Sequence, residues 1–472
     1  MVFNSYTFVA FILIVFFLYF QNFNWRIKKL FILVMSYIFY AAWNAPYVLI
    51  IIFSTVVDYV AARKIASSES LMARRAWLAV SLTGNLGVLS FFKYGEFVRD
   101  NFVTLVAQFG ITYEPAAWNI LLPVGISFYT FQTLTYSLDT YHRRMTPNHN
   151  FLDFALFVTY FPQLVAGPIV RARTFMPQLA KMPKITAENF GWGLFLFVLG
   201  LFEKTVLADA IFGPVTDRVF EQEGTLPILT VMTANLAFLG QVFADFSGYS
   251  MMAIGVSLCM GFHLPENFRG PFASIGYREI WGRWHISMSE WFRDYLYNYV
   301  KSEKRSVYRT MWAQIVTMTL IGLWHGAGWT FVLWGFYNGM FIAIELFLRV
   351  KIGAWRIWSL GVSKVGLWAF TFFMFSQSTF LFRSKDMQQA YDMLASFFVT
   401  PENNFDLTRL DFVLVGGTIS ALIASHFWIK HVPLRERFAA VPMPVVAGLV
   451  GVMLTCVAMV GRGGHGFIYF QF

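Results

Sequence analysis

Long uninterrupted apolar runs, separated by short polar loops, leave this chain few folds. A run such as 328–349 or 411–430 has about the 20 residues that a helix needs to cross the hydrocarbon of a bilayer. The runs are continuous rather than alternating, so they read as helices and not as barrel strands. In lipid the backbone must satisfy its own hydrogen bonds, which a helix does. Composition agrees: 57% of the 472 residues are hydrophobic and 13% are charged. A soluble domain carries roughly 25% charged residues, and one this apolar would expose aggregating patches. The expectation is an all-α integral membrane protein that crosses the bilayer many times, forming one domain over residues 1–472.

The apolar segments lie at about 5–21, 30–53, 76–92, 118–138, 151–166, 190–212, 226–246, 248–262, 310–324, 328–349, 358–382, 411–430 and 441–461. Several are too short to span unaided, so 10 to 14 membrane segments are expected, including re-entrant and interfacial helices. No basic stretch precedes Phe8 to Phe20 and no small-residue cleavage site follows, so the first helix is expected to be retained. The formal charge is +10, from 36 Lys+Arg against 26 Asp+Glu. The basic residues sit in loops, as at Arg26-Ile27-Lys28-Lys29, Arg74-Arg75 and Arg143-Arg144. A positive-inside bias accounts for that, and no basic stripe suggests nucleic acid as a partner. Membrane lipid is the expected surrounding. Cys259 and Cys456 show no metal-ligand spacing, and no metal site is expected.

Two features mark breaks inside apolar runs. Pro123-Val124-Gly125 predicts a broken or kinked helix at a cavity wall, and Gly167-Pro168 marks another interruption. The longest polar stretch covers 264–309. Within it Trp281, Trp284, Met288 and Trp291 form an apolar stripe at helical spacing, while Glu279, Arg283, Ser287, Glu290 and Asp294 fall near another face. Glu279 and Arg283 are placed to pair across one turn. The stretch reads either as an interfacial amphipathic helix with an aromatic belt or as a helix lining a polar cavity.

His325, in Gly322-Leu323-Trp324-His325-Gly326, ends one apolar segment just before the next. An ionisable side chain at membrane depth is expensive unless it lines a cavity or does chemistry. Imidazole can take and return a proton near neutral pH. Gly326, Ala327 and Gly328 leave room beside the ring. His285, in Trp281-Gly282-Arg283-Trp284-His285-Ile286-Ser287, is a candidate facing partner. Asp245, in Phe243-Ala244-Asp245-Phe246-Ser247-Gly248, is a costly acid in an apolar run. It is expected to pair with an Arg or a His, as an anchor for the Arg278 or Arg283 region or as part of a catalytic group. There is no GxSxG elbow, P-loop, HExxH or GxGxxG motif. Direct abstraction of a hydroxyl proton by histidine is therefore the economical chemistry.

The chain resembles the membrane-bound O-acyltransferase family, and most of all its bacterial alginate O-acetyltransferase branch, which is related to the D-alanyl transferase of teichoic acids. The resemblance rests on Leu122-Pro123-Val124-Gly125-Ile126-Ser127-Phe128-Tyr129, Phe161-Pro162-Gln163-Leu164-Val165-Ala166-Gly167-Pro168 and Asp245-Phe246-Ser247-Gly248-Tyr249-Ser250. It continues through Pro265-Glu266-Asn267-Phe268, Trp281 to Ser287, Trp291 to Tyr297 and Leu323-Trp324-His325-Gly326. It departs at Gly282, where the alginate branch implies Arg.

The resemblance implies a ring of tilted helices around a funnel crossing the membrane, in the bacterial inner membrane. His325 would be the essential histidine and His285 the second active-site position. Asp245, Asn267, Arg283, Trp284, Ser287 and Trp324 would line the cavity, with His285 or Asn267 supplying oxyanion donors. No bound cofactor is implied. The donor would be a cytoplasmic acyl thioester, acetyl-CoA, and the product an acetyl ester on an exported polysaccharide such as alginate or cellulose. A periplasmic or membrane-anchored acetyltransferase partner would complete the transfer. The aromatic end, Gly466 to Phe472, reads either as an interfacial anchor or as an acyl-relay tail in which Tyr469 accepts the acyl group. Two other functions fit the same residues. One is D-alanyl or other acyl transfer to teichoic acid or peptidoglycan. The other is a transporter or lipid flippase, since intramembrane His and Asp and broken helices also occur there.

Overall fold

The computed structural model describes residues 1–118, 120–147, 150–301, 306–353, 360–460 and 467. Among them every regular element is a helix. Among the described residues six helices are long and apolar enough to cross a membrane: Ala45–Ser67, Ile228–Cys259, Trp329–Ile352, Gly361–Arg383, Arg409–Ile429 and Met443–Val460. The last leaves large apolar side chains bare, with Val452 62% and Met459 82% exposed. Such a surface is stable only against hydrocarbon.

Contacts divide the chain into two compact units. One comprises Met1–Leu194 with Met252–Pro265, and the other Phe195–Met251 with Glu266–Phe472. In the first, helices Val48–Ser67, Leu71–Leu89 and Ile126–Tyr141 pack together. The third is buried along nearly its whole length although Ser, Thr and Gln fill it. Polar side chains inside such a bundle must find partners on other helices. The fully buried Asp58 carboxylate accepts from Ser137 Oγ and Asn85 Nδ2, each at 2.9 Å, and from Ser81 Oγ.

The second unit is centred on a helical hairpin, Val307–His325 and Trp329–Ile352, turned at Gly326-Ala327-Gly328. Gly322 and Gly335 face the opposite backbone so closely that a Cβ on either would strike a main-chain oxygen, of Phe331 or Met318. Small residues at such crossings let helices approach to backbone contact.

Several boundaries differ from the sequence expectation. Segment 30–53 is two helices, Trp25–Ala41 and Val48–Ser67, because Asn44-Ala45-Pro46 interrupts it and proline withdraws a backbone donor. Segment 118–138 is helical only from Ile126, after Pro123 and Gly125, as a break there requires. Segments 226–246 and 248–262 form one 32-residue helix, Ile228–Cys259, which Ser247 and Gly248 do not break. The stretch from Tyr277 is two short helices, Tyr277–Trp281 and Ile286–Phe292, followed by a wider π-turn at Arg293–Tyr297.

Candidate functional site

The break between those two short helices is made by His285. Its backbone adopts φ 44°, ψ 54°, a left-handed conformation that a residue with a Cβ holds at a cost of about 1–3 kcal/mol. Asn267 accounts for its persistence. The Asn267 main-chain oxygen accepts the Ile286 N–H at 2.9 Å, and its side-chain oxygen accepts the Ser287 N–H at 3.3 Å and Ser287 Oγ at 2.9 Å. Asn267 Nδ2 donates to Ser250 Oγ at 3.1 Å.

The same Asn267 oxygen lies 3.1 Å from His285 Nδ1. A backbone N–H can only donate, so the Asn267 atom facing Ser287 is the oxygen, and His285 must then carry its proton on Nδ1. The neutral ring keeps its lone pair on Nε2, the nitrogen able to accept a proton. Asn267 thus positions His285. Its oxygen is taken up by His285 and Ser287, and its NH₂ gives one bond to Ser250.

His285 is fully buried, edge-on to Phe246 at 4.6 Å between ring centres. Trp324 lies 6.1 Å from His285 and 4.8 Å from His325 between ring centres. The two sequence-predicted histidines therefore share one indole. His325 closes the helix Val307–His325 and also packs against Trp334 at 5.1 Å and Phe382 at 5.3 Å. Beside it is a small cavity of about 20 Å³, with Trp284, Phe375 and Thr379 among its walls. This is a small aromatic chamber with an imidazole in its wall.

Trp281, Trp284, Met288 and Trp291 are all buried within protein, so the stripe is core and not an interfacial belt. Arg283 pairs with Glu279 at 3.0 Å, as their spacing suggested. Its guanidinium is otherwise turned to the Arg269 and Lys430 carbonyl oxygens, away from the His325 cavity.

Asp245 has a different partner from the one expected. It meets neither Arg278 nor Arg283 but Lys204, at 2.7 Å, and Lys204 also holds Asp209 at 2.7 Å. All three are buried. Residues 204 and 209 meet because Glu203–Phe212 is a π-helix, whose i→i+5 bonding stacks residues five apart. Gly248 completes the contact: a Cβ there would lie 2.6 Å from the Gly200 oxygen. The triad thereby pins the helix that presents Phe246 and Ser250 to the His285 network. Lys204, Asp209, Trp334 and Phe382 were not singled out from the sequence. The signal for the first two was three charges, Glu203, Lys204 and Asp209, in the apolar run 190–212. Tyr469 lies outside the described residues.

The family model for membrane-bound O-acyltransferases matches residues 63–381. The chain belongs to that family. It is 35% identical over 441 residues to a probable alginate O-acetylase of Pseudomonas aeruginosa, covering 93% of this chain and 82% of that one. A protein of the same description from Azotobacter vinelandii is 36% identical over 422 residues, covering 88% and 81%. A peptidoglycan O-acetyltransferase of Helicobacter pylori is 34% identical over 397 residues, covering 78% and 73%. The protein is thus a membrane O-acyltransferase, and the transporter reading gives way to an enzyme. An O-acyltransferase must remove a hydroxyl proton and return one to the leaving group. The His325 imidazole, in the wall of an aromatic cavity, is a group of that kind.

Proposed function

We propose that this enzyme moves an acetyl group from a cytoplasmic thioester, acetyl-CoA, across the bacterial inner membrane for O-acetylation of an exported polysaccharide. The reading is carried by His285 and His325 both packed against Trp324, with an aromatic cavity beside His325. His325 takes the proton of the accepting hydroxyl as its oxygen attacks the thioester carbonyl carbon. The tetrahedral intermediate collapses, the C–S bond breaks, and the thiolate takes the proton back from the imidazolium. His285, with its lone pair on Nε2, is the second proton-handling group. The apolar walls strengthen each of these interactions by excluding water.

An alginate-like or cellulose-like polymer is the favoured acceptor, since relatives described as alginate O-acetylases match along most of the chain. A periplasmic or membrane-anchored acetyltransferase partner would receive the acetyl group and pass it to the polymer, with Tyr469 as a candidate relay. The resemblance to a peptidoglycan O-acetyltransferase supports a second reading, in which the wall polymer is acylated. Mass analysis of exported polysaccharide and of peptidoglycan from cells carrying His325→Ala decides between them. Acetyl ester disappears from the true acceptor while the variant stays at normal membrane abundance. Unchanged ester on both polymers overturns the proposal.

A further inference from the structure

A second cavity in the second compact unit shares no wall residue with the one beside His325. It lies between the spanning helices Trp329–Ile352 and Gly361–Arg383, where a short piece of chain is wedged between them. The wedge is Gly276. Its N–H donates to Thr371 Oγ1 on one helix at 2.9 Å, and a Cβ on it would lie 2.8 Å from the Glu345 carboxylate on the other. Its φ of 99° also calls for glycine. The Glu345 carboxylate accepts the Arg278 N–H at 3.0 Å and pairs with Arg349 at 2.7 Å. Beside it Tyr277 stacks on Phe341, with 4.7 Å between ring centres.

Gly276, Glu345 and Thr371 border a cavity of about 370 Å³, whose other walls include Phe341, Ile344, Leu348, Leu367 and Phe370. Sites for small molecules begin at about 300 Å³ and are mostly apolar, with a few placed polar groups. Apolar walls of this kind do not hold water, and an apolar molecule fills them. Ile344, Leu348 and Phe370 are exposed, so the cavity opens outward between two spanning helices, where lipid is the solvent. Arg349 also lines it, and its side chain is 57% exposed. Lys351 shares the last turn of that helix, and Arg278 is exposed at the start of Tyr277–Trp281. Glu345 pairs with Arg349, and among the described residues neither Lys351 nor Arg278 has an acidic partner. This end of the crevice is therefore net positive. Positive-inside bias supplies cations at the end of a spanning helix. It does not supply an apolar cavity of this size beside them.

We infer that this crevice is a binding site for an anionic phospholipid, with one acyl chain in the cavity and the phosphate on Arg349. Arg349 turns Nε and Nη2 to Glu345, which leaves the N–H groups of Nη1 for a phosphate oxygen. Glu345 thereby holds the guanidinium at the cavity rather than cancelling the charge of the whole rim. The cations at the helix end favour an anionic headgroup over a zwitterionic one.

The test uses the full-length protein in phosphatidylcholine nanodiscs at about 0.15 M salt, where weak surface attraction is screened. A small share of the lipid is phosphatidylglycerol carrying a photoreactive diazirine on one acyl chain, and a parallel sample carries the same chain on phosphatidylcholine. After illumination, labelled residues are mapped by mass spectrometry. The phosphatidylglycerol label should concentrate on Phe341 to Leu348 and Leu367 to Thr371. It should exceed, several-fold per residue, the label on Met443–Val460, a helix that is as apolar and bare but has no such cavity. Leu348→Trp fills the cavity from an exposed position, so it should melt like the wild type and lose that excess. Arg349→Gln should lower the preference for phosphatidylglycerol over phosphatidylcholine about fivefold, the effect of one cation at a membrane surface. Label spread evenly over the crevice and Met443–Val460, equal labelling of the crevice by the two lipids, or an excess that survives Leu348→Trp overturns the inference. No readout depends on acyl transfer, so the result stands apart from the proposed activity.

Discussion

Replacing Asn267→Ala should separate the placing of His285 from the folding of the site. The substitution removes an oxygen that meets His285 Nδ1, Ser287 N and Ser287 Oγ, and an NH₂ that donates to Ser250. Two buried donors, the imidazole N–H and the Ser287 N–H, then lose this acceptor. Each costs about 1–3 kcal/mol when left unmet, so the native state should lose about 2–6 kcal/mol. The kinetic effect has a different origin. Without the Asn267 side chain nothing in this network favours the tautomer with its lone pair on Nε2, and the left-handed turn keeps only the main-chain bond from the Ile286 N–H to residue 267. A loss of about 1.4–2.8 kcal/mol from the barrier is a 10–100-fold fall in kcat/KM. Asn267→Asp supplies an acceptor to the same three donors and should recover most of the activity. It should also shift the acid limb of the pH profile to higher pH, because a carboxylate beside His285 favours the imidazolium. The assay is acetyl transfer by the purified protein in nanodiscs, with thermal melting alongside. An Asn267→Ala protein that melts as a folded species and keeps kcat/KM within about twofold of wild type would refute the reasoning.

Three other outcomes follow from the packing. Lys204→Met strands Asp209 and Asp245 as buried acids, so it should destabilise by about 3–5 kcal/mol, read as a lower melting temperature. Asp209→Asn leaves the Lys204–Asp245 pair in place and should be milder. Gly335→Leu places a side chain against the Met318 backbone, and the folded protein recovered from membranes should fall several-fold. Phe382→Ala removes a wall of the His325 cavity and should lower stability by about 3–5 kcal/mol while raising KM more than it lowers kcat, by steady-state kinetics.

Much of this architecture was legible because the forces that set it are local. Apolar runs of spanning length became helices, and Pro123 with Gly125 did delay the start of a helix. Glu279 and Arg283 met because one helical turn separates them. What was not legible depends on partners distant in sequence. The 277–299 stripe has a single helical period, yet the chain breaks at His285 because Asn267 holds it in a conformation its own residues do not favour. The helix Ile228–Cys259 runs unbroken past Ser247 and Gly248, and Lys204 from another segment neutralises Asp245 within it. Lys204 meets Asp209 only through a π-turn, and no α-helical periodicity reveals that pairing. The histidines themselves stood out because imidazole beside long apolar runs is rare. Their common contact with Trp324 needed the fold.

The central claim is that His325 handles the proton in acyl transfer. The direct measurement is the single-turnover rate at which purified protein in nanodiscs moves a radiolabelled acetyl group from a thioester to an acceptor hydroxyl, comparing wild type with His325→Gln. Glutamine keeps a polar side chain of similar reach but cannot shuttle the proton, so the rate should fall by about 10²–10⁴ with thioester binding unchanged. A His325→Gln protein that transfers acetyl at nearly the wild-type rate would contradict the account.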